Sequence, residues 1–290
     1  MDFLTVGMPV WNDPDSVEKS VMAITRSTAW TERLDSKKEL IVCVNGCTGK
    51  NDATLIAVNR LKKRVPRLKV FVLKAKGRNL AINFIARNAS RKSKTIFFCD
   101  ADVLVTRDAI SRVLEALKSH PHARFAGAAA MPMTSLVPEK YRDPLRAYFL
   151  ERAKKRLASG ANYISGAGYA VDRYFFLRHP LPSTNHIADD LFINENFGRR
   201  IVLVRNARLF YLLPSAVDTI LQRARYIVQE REQGVKKVNR PSLVPEEQSR
   251  KVKQGLLLRR ALGGVAQLLV KVHPRIGWKS LGSTKLKRKK

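Results

Sequence analysis

Two carboxylates, Asp100 and Asp102, stand either side of a small Ala101 directly after the apolar run Ile96-Phe97-Phe98-Cys99. Extended residues alternate faces, so side chains two apart project to one side, here at the tip of a buried strand. Carboxylate oxygens at such a tip suit a hard divalent cation. Mg2+ or Mn2+ takes one or two protein carboxylates and keeps its remaining positions for substrate phosphates, so the pair points to a nucleotide-phosphate site. Taken alone, an Asp-x-Asp triplet also suits an ordinary surface turn, and its neighbours must decide.

The elements needed to hold that tip are legible. Short apolar runs at Phe3 to Val10, Leu40 to Val44, Leu68 to Leu73 and Thr95 to Cys99 read as strands, with Arg124 to Ala130 as a fifth. Between them, helical periodicity covers Asp15 to Ala29, Asp52 to Val65, Arg78 to Ser90 and Arg107 to Ser119. This alternation predicts an α/β fold, a mostly parallel central sheet flanked by helices. Ligands of such sheets gather beyond the carboxyl ends of the strands. Those ends carry Pro9-Val10-Trp11-Asn12-Asp13, Asn45-Gly46-Cys47-Thr48-Gly49, Lys76-Gly77-Arg78-Asn79 and Asp100-Ala101-Asp102. Further on, Pro144 to Ala158 reads as a basic helix, Ser165-Gly166-Ala167-Gly168 as a glycine-rich turn, Asp189-Asp190 as a helix start, and Ala216 to Gln233 as another helix.

With 290 residues, of which 45% are hydrophobic, the chain can bury a sizeable core. Its formal net charge of +31 predicts anionic partners: phosphates, polyanions or an anionic membrane surface. Cys43, Cys47 and Cys99 are odd in number and two belong to strands, which argues against a disulfide framework and for a reducing compartment. The five histidines show no metal-ligand spacing.

In order and spacing, the motifs from about residue 3 to residue 230 resemble the large inverting nucleotide-sugar glycosyltransferase family with the GT-A fold, often called family 2. Met8-Pro9-Val10-Trp11-Asn12-Asp13 resembles the family's opening turn, and Val44-Asn45-Gly46 its second-strand turn, where an Asp usually reads the base. Lys76-Gly77-Arg78-Asn79 through Asn83 is similar to the basic segment facing the nucleotide. The resemblance therefore implies nucleotide contacts at Pro9, Trp11, Asp13, Asn45, Lys76, Arg78, Asn83, Asp100 and Ala101, and metal binding, Mn2+ or Mg2+, at Asp102. It implies that Asp190 is the general base removing the acceptor hydroxyl proton, with Asp189 in support. An acidic first turn of a helix is the alternative account of that pair.

By the same resemblance, Gly166 and Gly168 border the donor and acceptor cleft. Gln222, Arg225 and Tyr226 resemble the Q/R-x-x-R-W element of lipid-acceptor and polymerising members, with Arg225 offsetting charge on the departing diphosphate and Tyr226 standing where Trp is usual. The implied activity is an inverting, metal-dependent, hexosyltransferase-class transfer from a nucleotide sugar, UDP-linked by family habit, to a lipid-linked or anionic glycan. Rival readings are a nucleic-acid-binding protein and a nucleotidyltransferase on a similar sheet. Recognised nucleic-acid motifs are absent, so no nucleic acid is expected as a partner.

The expected organisation is a catalytic domain over residues 1–235, with a nucleotide-binding half to about 130, followed by a basic extension over 236–290. No acidic residue follows Glu247. Leu256 to Val272 reads as an amphipathic helix suited to lying on an anionic membrane surface. The chain begins on a strand-like run rather than a leader, and no apolar stretch reaches the roughly 20 residues of a spanning helix. The expected location is cytoplasmic, peripheral on the cytoplasmic face of a membrane.

Overall fold

A computed structural model describes residues 2–136, 143–183, 188–212, 220, 224, 227 and 250–272. Two compact units are present, Met1–Ala130 with Ala161–Tyr211, and Met131–Gly160 with Leu212–Lys290.

The first unit is built on β1 (Leu4–Val10), β2 (Lys38–Asn45), β3 (Leu68–Leu73) and β4 (Thr95–Cys99). β1 pairs in parallel with both β2 and β4, and β2 with β3. Successive residues face opposite sides of the sheet, and the two cores divide accordingly. Leu40, Val42, Val44 and Phe97 join one core, with α1 (Val17–Thr25), α3 (Ala53–Lys62) and α5 (Ala109–Ser119). Ile41, Cys43, Ile96 and Phe98 join the other, with α4 (Arg78–Asn88), α7 (Arg173–Arg178) and α8 (Asp189–Phe197). Both faces are covered, which is why these strands read as continuous apolar runs.

Beyond β4 the sheet departs from the expected parallel order. Its eight strands run β3-β2-β1-β4-β7-β6-β8-β5, with β5 (Val103–Val105), β6 (Phe125–Pro132), β7 (Gly168–Asp172) and β8 (Ile201–Tyr211). β7 lies antiparallel between β4 and β6, and β5 is antiparallel to β8. The glycine-rich turn is therefore shorter than expected, because Gly168 already pairs with Cys99 in the ladder. Sequence reading missed β8, whose Arg205, Asn206 and Arg208 are exposed and interrupt the apolar pattern.

The expected first helix is also broken. α1 stops at Thr25, and a short α2 (Thr28–Thr31) follows. Ser27 takes an extended conformation, and its hydroxyl donates to the Ile24 carbonyl at 2.6 Å, a local bond that competes with helix continuation.

In the second unit, α6 (Pro144–Ala158) packs against α9 (Arg250–Val272) through Ala147, Tyr148, Val252 and Leu256. Asp143 caps α6 by accepting from the Arg146 N–H at 2.9 Å, with Pro144 at the first helical position. α9 opens earlier than the expected Leu256. Its Leu257, Leu258, Val265 and Leu268 are exposed, beside exposed Lys253 and Arg260. Among the described residues, no helix is long and apolar enough to cross a membrane. The expected helix over Ala216 to Gln233 lies largely outside the described residues.

Candidate active site

The carboxyl ends of β1 and β2 and the start of α4 are tied together by one amide side chain. Asn45, at the end of β2, donates through Nδ2 to the Val10 carbonyl at 2.9 Å and accepts the Gly77 N–H on Oδ1 at 3.0 Å. Asn45 is buried, with both functional atoms engaged. Gly46 follows with φ +64, a left-handed conformation that suits glycine, and a Cβ there would stand 3.0 Å from the Trp11 ring and 3.1 Å from Lys76. The Lys76 ammonium lies 3.4 Å from the Trp11 ring centroid, a cation–π contact closing this corner. Pro9 is buried within the β1 ladder opposite Cys43, and buried Asp13 is placed by its N–H donating to Thr54 Oγ1 at 2.9 Å.

At the end of β4, the Asp-x-Asp turn is fixed by its backbone. Asp100 N–H donates to the Ala167 carbonyl at 3.2 Å, and Ser20 Oγ donates to the Ala101 carbonyl at 2.7 Å. Ala101 is buried while Asp100 and Asp102 are half-buried, as alternation predicts. Burial, reinforced by the Asp102 charge, pushes the Cys99 thiol up to about 12, so it stays protonated.

Arg78 joins this turn to the acidic pair at the start of α8. Nε donates to Asp189 Oδ1 at 2.8 Å and Nη2 to Asp189 Oδ2 at 3.1 Å, a forked geometry. Nη2 also donates to the Gly166 carbonyl at 2.7 Å, and Nη1 contacts Asp100 Oδ1. Desolvation alone would lower the Arg78 pKa, but the charge and hydrogen bonds of Asp189 outweigh it, and the net direction is upward. Tyr169 Oη donates to Asp189 Oδ2 at 3.1 Å, and burial, with Asp189 adding to it, raises the phenol well above its ordinary value.

Asp190, beside the buried Asp189, is half-buried. Its Oδ1 accepts the Leu191 N–H at 2.9 Å and its Oδ2 faces the Gly166 N–H at 3.4 Å. Gly166 is a close approach: a Cβ there would lie 3.3 Å from Arg78 Nη2, 3.5 Å from Asp189 Oδ1 and 3.8 Å from Asp190 Cγ.

The structure thus gathers Arg78, Asp100, Gly166, Asp189 and Asp190 in one cluster, and Trp11, Asn45 and Lys76 in a second. Asn83 lies elsewhere: its amide exchanges reciprocal bonds with the Leu181 backbone, at 2.8 and 3.0 Å. Asn79, one turn earlier, donates to the Pro182 carbonyl at 3.0 Å. Gly168 packs inside the sheet against Leu209 and Phe97. Gln222, Arg225 and Tyr226 lie outside the described residues. Sequence reading missed Tyr169 and Ser20. Nothing local marks either residue, since β7 is buried from Gly168 to Val171 and shows no apolar–polar alternation there.

Among the described residues no three His, Cys, Asp or Glu side chains gather into a metal cluster. The strand-tip pair Asp100 and Asp102 offers carboxylate oxygens, the donor class that Mg2+ and Mn2+ prefer and complete with substrate oxygens.

The sequence profile described as "Glycosyl transferase family 2" matches residues 5–176. No curated protein sequence matches the chain. Among solved structures, the chain is similar to the mannosyltransferase PcManGT from Pyrobaculum calidifontis, solved with GDP-Man and Mn2+. That match has 17% identity and a TM-score of 0.58, and covers 94% of this chain and 76% of that one. It is also similar to glucosyl-3-phosphoglycerate synthase from Mycobacterium tuberculosis, solved with Mn2+, UDP and glucosyl-3-phosphoglycerate, at 15% identity and a TM-score of 0.55, with 82% of each chain covered. A third is S. aureus TarS 1-349, at 15% identity and a TM-score of 0.52, covering 95% of this chain and 91% of that one. At these identities the likeness is one of fold.

Proposed function

The chain belongs to glycosyl transferase family 2, the nucleotide-sugar-dependent glycosyltransferases of the GT-A fold, and from that premise we propose that it catalyses an inverting, metal-dependent sugar transfer. The donor is a nucleotide sugar, UDP-linked, and the acceptor a hydroxyl of a lipid-linked or otherwise anionic glycan. One observation supports this most: the Arg78 guanidinium gathers Asp100, at the strand tip, and Asp189, 111 residues away in sequence, beside Asp190. With Asp100 read as donor-side and Asp190 as acceptor-side, this juxtaposition supports a single displacement between them.

In this reading Asp102 holds Mn2+ or Mg2+ with the donor diphosphate, and Asp100 lies nearer the ribose. The bound cation supplies charge to the leaving diphosphate. Trp11, Asp13, Asn45 and Lys76 form the nucleotide corner, with Asn45 acting as its strap. Asp190 accepts the acceptor hydroxyl proton and Asp189 holds that carboxylate's position. Arg225 offsets charge on the departing nucleotide. The excess of basic residues draws an anionic acceptor, and α9 rests its exposed Leu257, Leu258, Val265 and Leu268 on an anionic membrane at the cytoplasmic face, with Lys253 and Arg260 toward the headgroups.

Isothermal titration with UDP, with and without Mn2+, in the wild type and Asp102→Ala tests the donor site. The expected result is binding that needs the metal and is lost in the variant. Metal-independent binding unchanged in Asp102→Ala would remove Asp102 from the metal site. Absence of binding to UDP, GDP and dTDP alike would overturn the donor site itself.

A further inference from the structure

The Arg78 guanidinium has two ends with different surroundings. Nε and Nη2 face inward, forked on Asp189, whose side chain is 3% exposed and also accepts the Tyr169 hydroxyl. Nη1 faces Asp100, whose side chain is 25% exposed. The inward end reaches Asp190 by two routes. One is the adjoining residue, Asp189. The other is the Gly166 backbone, whose carbonyl accepts from Nη2 at 2.7 Å while its N–H faces Asp190 Oδ2 at 3.4 Å.

A segment facing the nucleotide, carrying a cation, invites the assignment of Arg78 to the donor phosphates. Its surroundings oppose that use. Two carboxylates already share its single charge, and turning the guanidinium toward a diphosphate would deprive the buried Asp189 of its cation. The fork also fixes orientation, which a point charge such as lysine does not.

We infer that Arg78 is a positioning residue for Asp190: it ties the acidic pair and the Gly166 backbone to the Asp-x-Asp strand, so that the base is held in register with the donor. This rests on the reading of Asp190 as the base. The strand tip and the start of α8 belong to distant parts of the chain, and Arg78 is a side chain in contact with both.

The test compares Arg78→Lys, Arg78→Gln and Tyr169→Phe with the wild type, measuring transfer kinetics, calorimetric UDP affinity in Mn2+ and the urea midpoint. Tyr169→Phe removes the second anchor of Asp189, the hydroxyl that shares Oδ2 with Arg78 Nη2, and leaves Arg78 itself intact. In Arg78→Lys, kcat is expected to fall by about 10²-fold, the scale of a roughly 1 Å misplacement, while donor KM and UDP affinity stay close to wild type. Tyr169→Phe is expected to lower kcat in the same direction by a smaller factor. If Arg78→Gln fails to fold, the other two variants decide. A UDP affinity weakened about tenfold or more in Arg78→Lys with kcat retained would make Arg78 a donor ligand and overturn the inference. So would an unchanged kcat in both Arg78→Lys and Tyr169→Phe. Failure of the wild type to bind any nucleoside diphosphate is a separate result that removes the proposed function first.

Discussion

Arg78 and Asp189, 111 residues apart in sequence, form a forked ion pair at 2.8 and 3.1 Å beneath the half-buried Asp190. Neighbouring carboxylates thereby have different surroundings. The first is enclosed by a guanidinium and a phenol; the second faces the Gly166 turn at the site.

The two aspartates are therefore expected to fail differently. Asp189→Ala breaks the buried fork, leaving Arg78 with Asp100 and the Gly166 carbonyl, and lowers stability by about 3 kcal/mol, the lower end for a broken buried pair, because Arg78 also retains 29% side-chain exposure and some solvent screening. Asp190→Asn keeps the fold and the UDP affinity while transfer falls by about 10²- to 10⁴-fold, the usual contribution of a general base. Urea denaturation with single-turnover transfer separates them. Equal loss of stability in both variants would contradict the division of labour.

Replacing Asn45 by the Asp usual at this turn in the family is expected to harm the protein. Asn45 donates to one backbone carbonyl and accepts from one N–H. An aspartate keeps the second bond but sets an oxygen against the Val10 carbonyl, leaving a buried acceptor unsatisfied at about 1–3 kcal/mol. The urea midpoint of Asn45→Asp should fall accordingly. A midpoint equal to wild type would show that the strap does not matter.

Burial pushes the Cys43 thiol up to about 12, and burial with the Asp102 charge does the same for Cys99. Their ordinary value is near 9, so both stay protonated in the folded protein at pH 8 and should resist a thiolate-directed alkylating reagent until urea is added. Above pH 9 the unfolded thiols ionise while the folded ones do not. The unfolded state then binds fewer protons, and stability from these groups is lost as pH rises from about 9 toward 12. A urea midpoint flat from pH 8 to 10, with rapid native alkylation of both residues, would contradict the burial.

The proposed membrane face of α9 predicts that the full-length protein sediments with anionic vesicles, less so in high salt, and poorly with neutral ones. Leu257→Glu with Leu268→Glu should weaken this binding without changing UDP affinity. Vesicle binding unaffected by the double substitution would remove α9 from the interface.

The parallel half of the sheet was legible because its strands are buried on both faces. Leu68–Leu73 and Thr95–Cys99 coincide with the runs read from sequence, and alternation along β4 placed Asp100 and Asp102 on one side. The antiparallel half was not. β7 is interior to the sheet but short and glycine-led, and β8 carries charges on exposed positions. Neither shows a period that distinguishes it from a loop.

The sequence by itself determined which residue types were available for chemistry, since Asp-x-Asp, the acidic pair and the glycine turns are local patterns with local geometric consequences. Only the tertiary structure decided which of them share a site and which serve it from beneath. The sequence shows neither the bonds of Asn45 to Val10 and Gly77 nor the fork of Arg78 on a carboxylate more than a hundred residues away. The reason is physical: an isolated side chain has a repertoire of hydrogen bonds, and the partners brought in by long-range packing determine which are already taken.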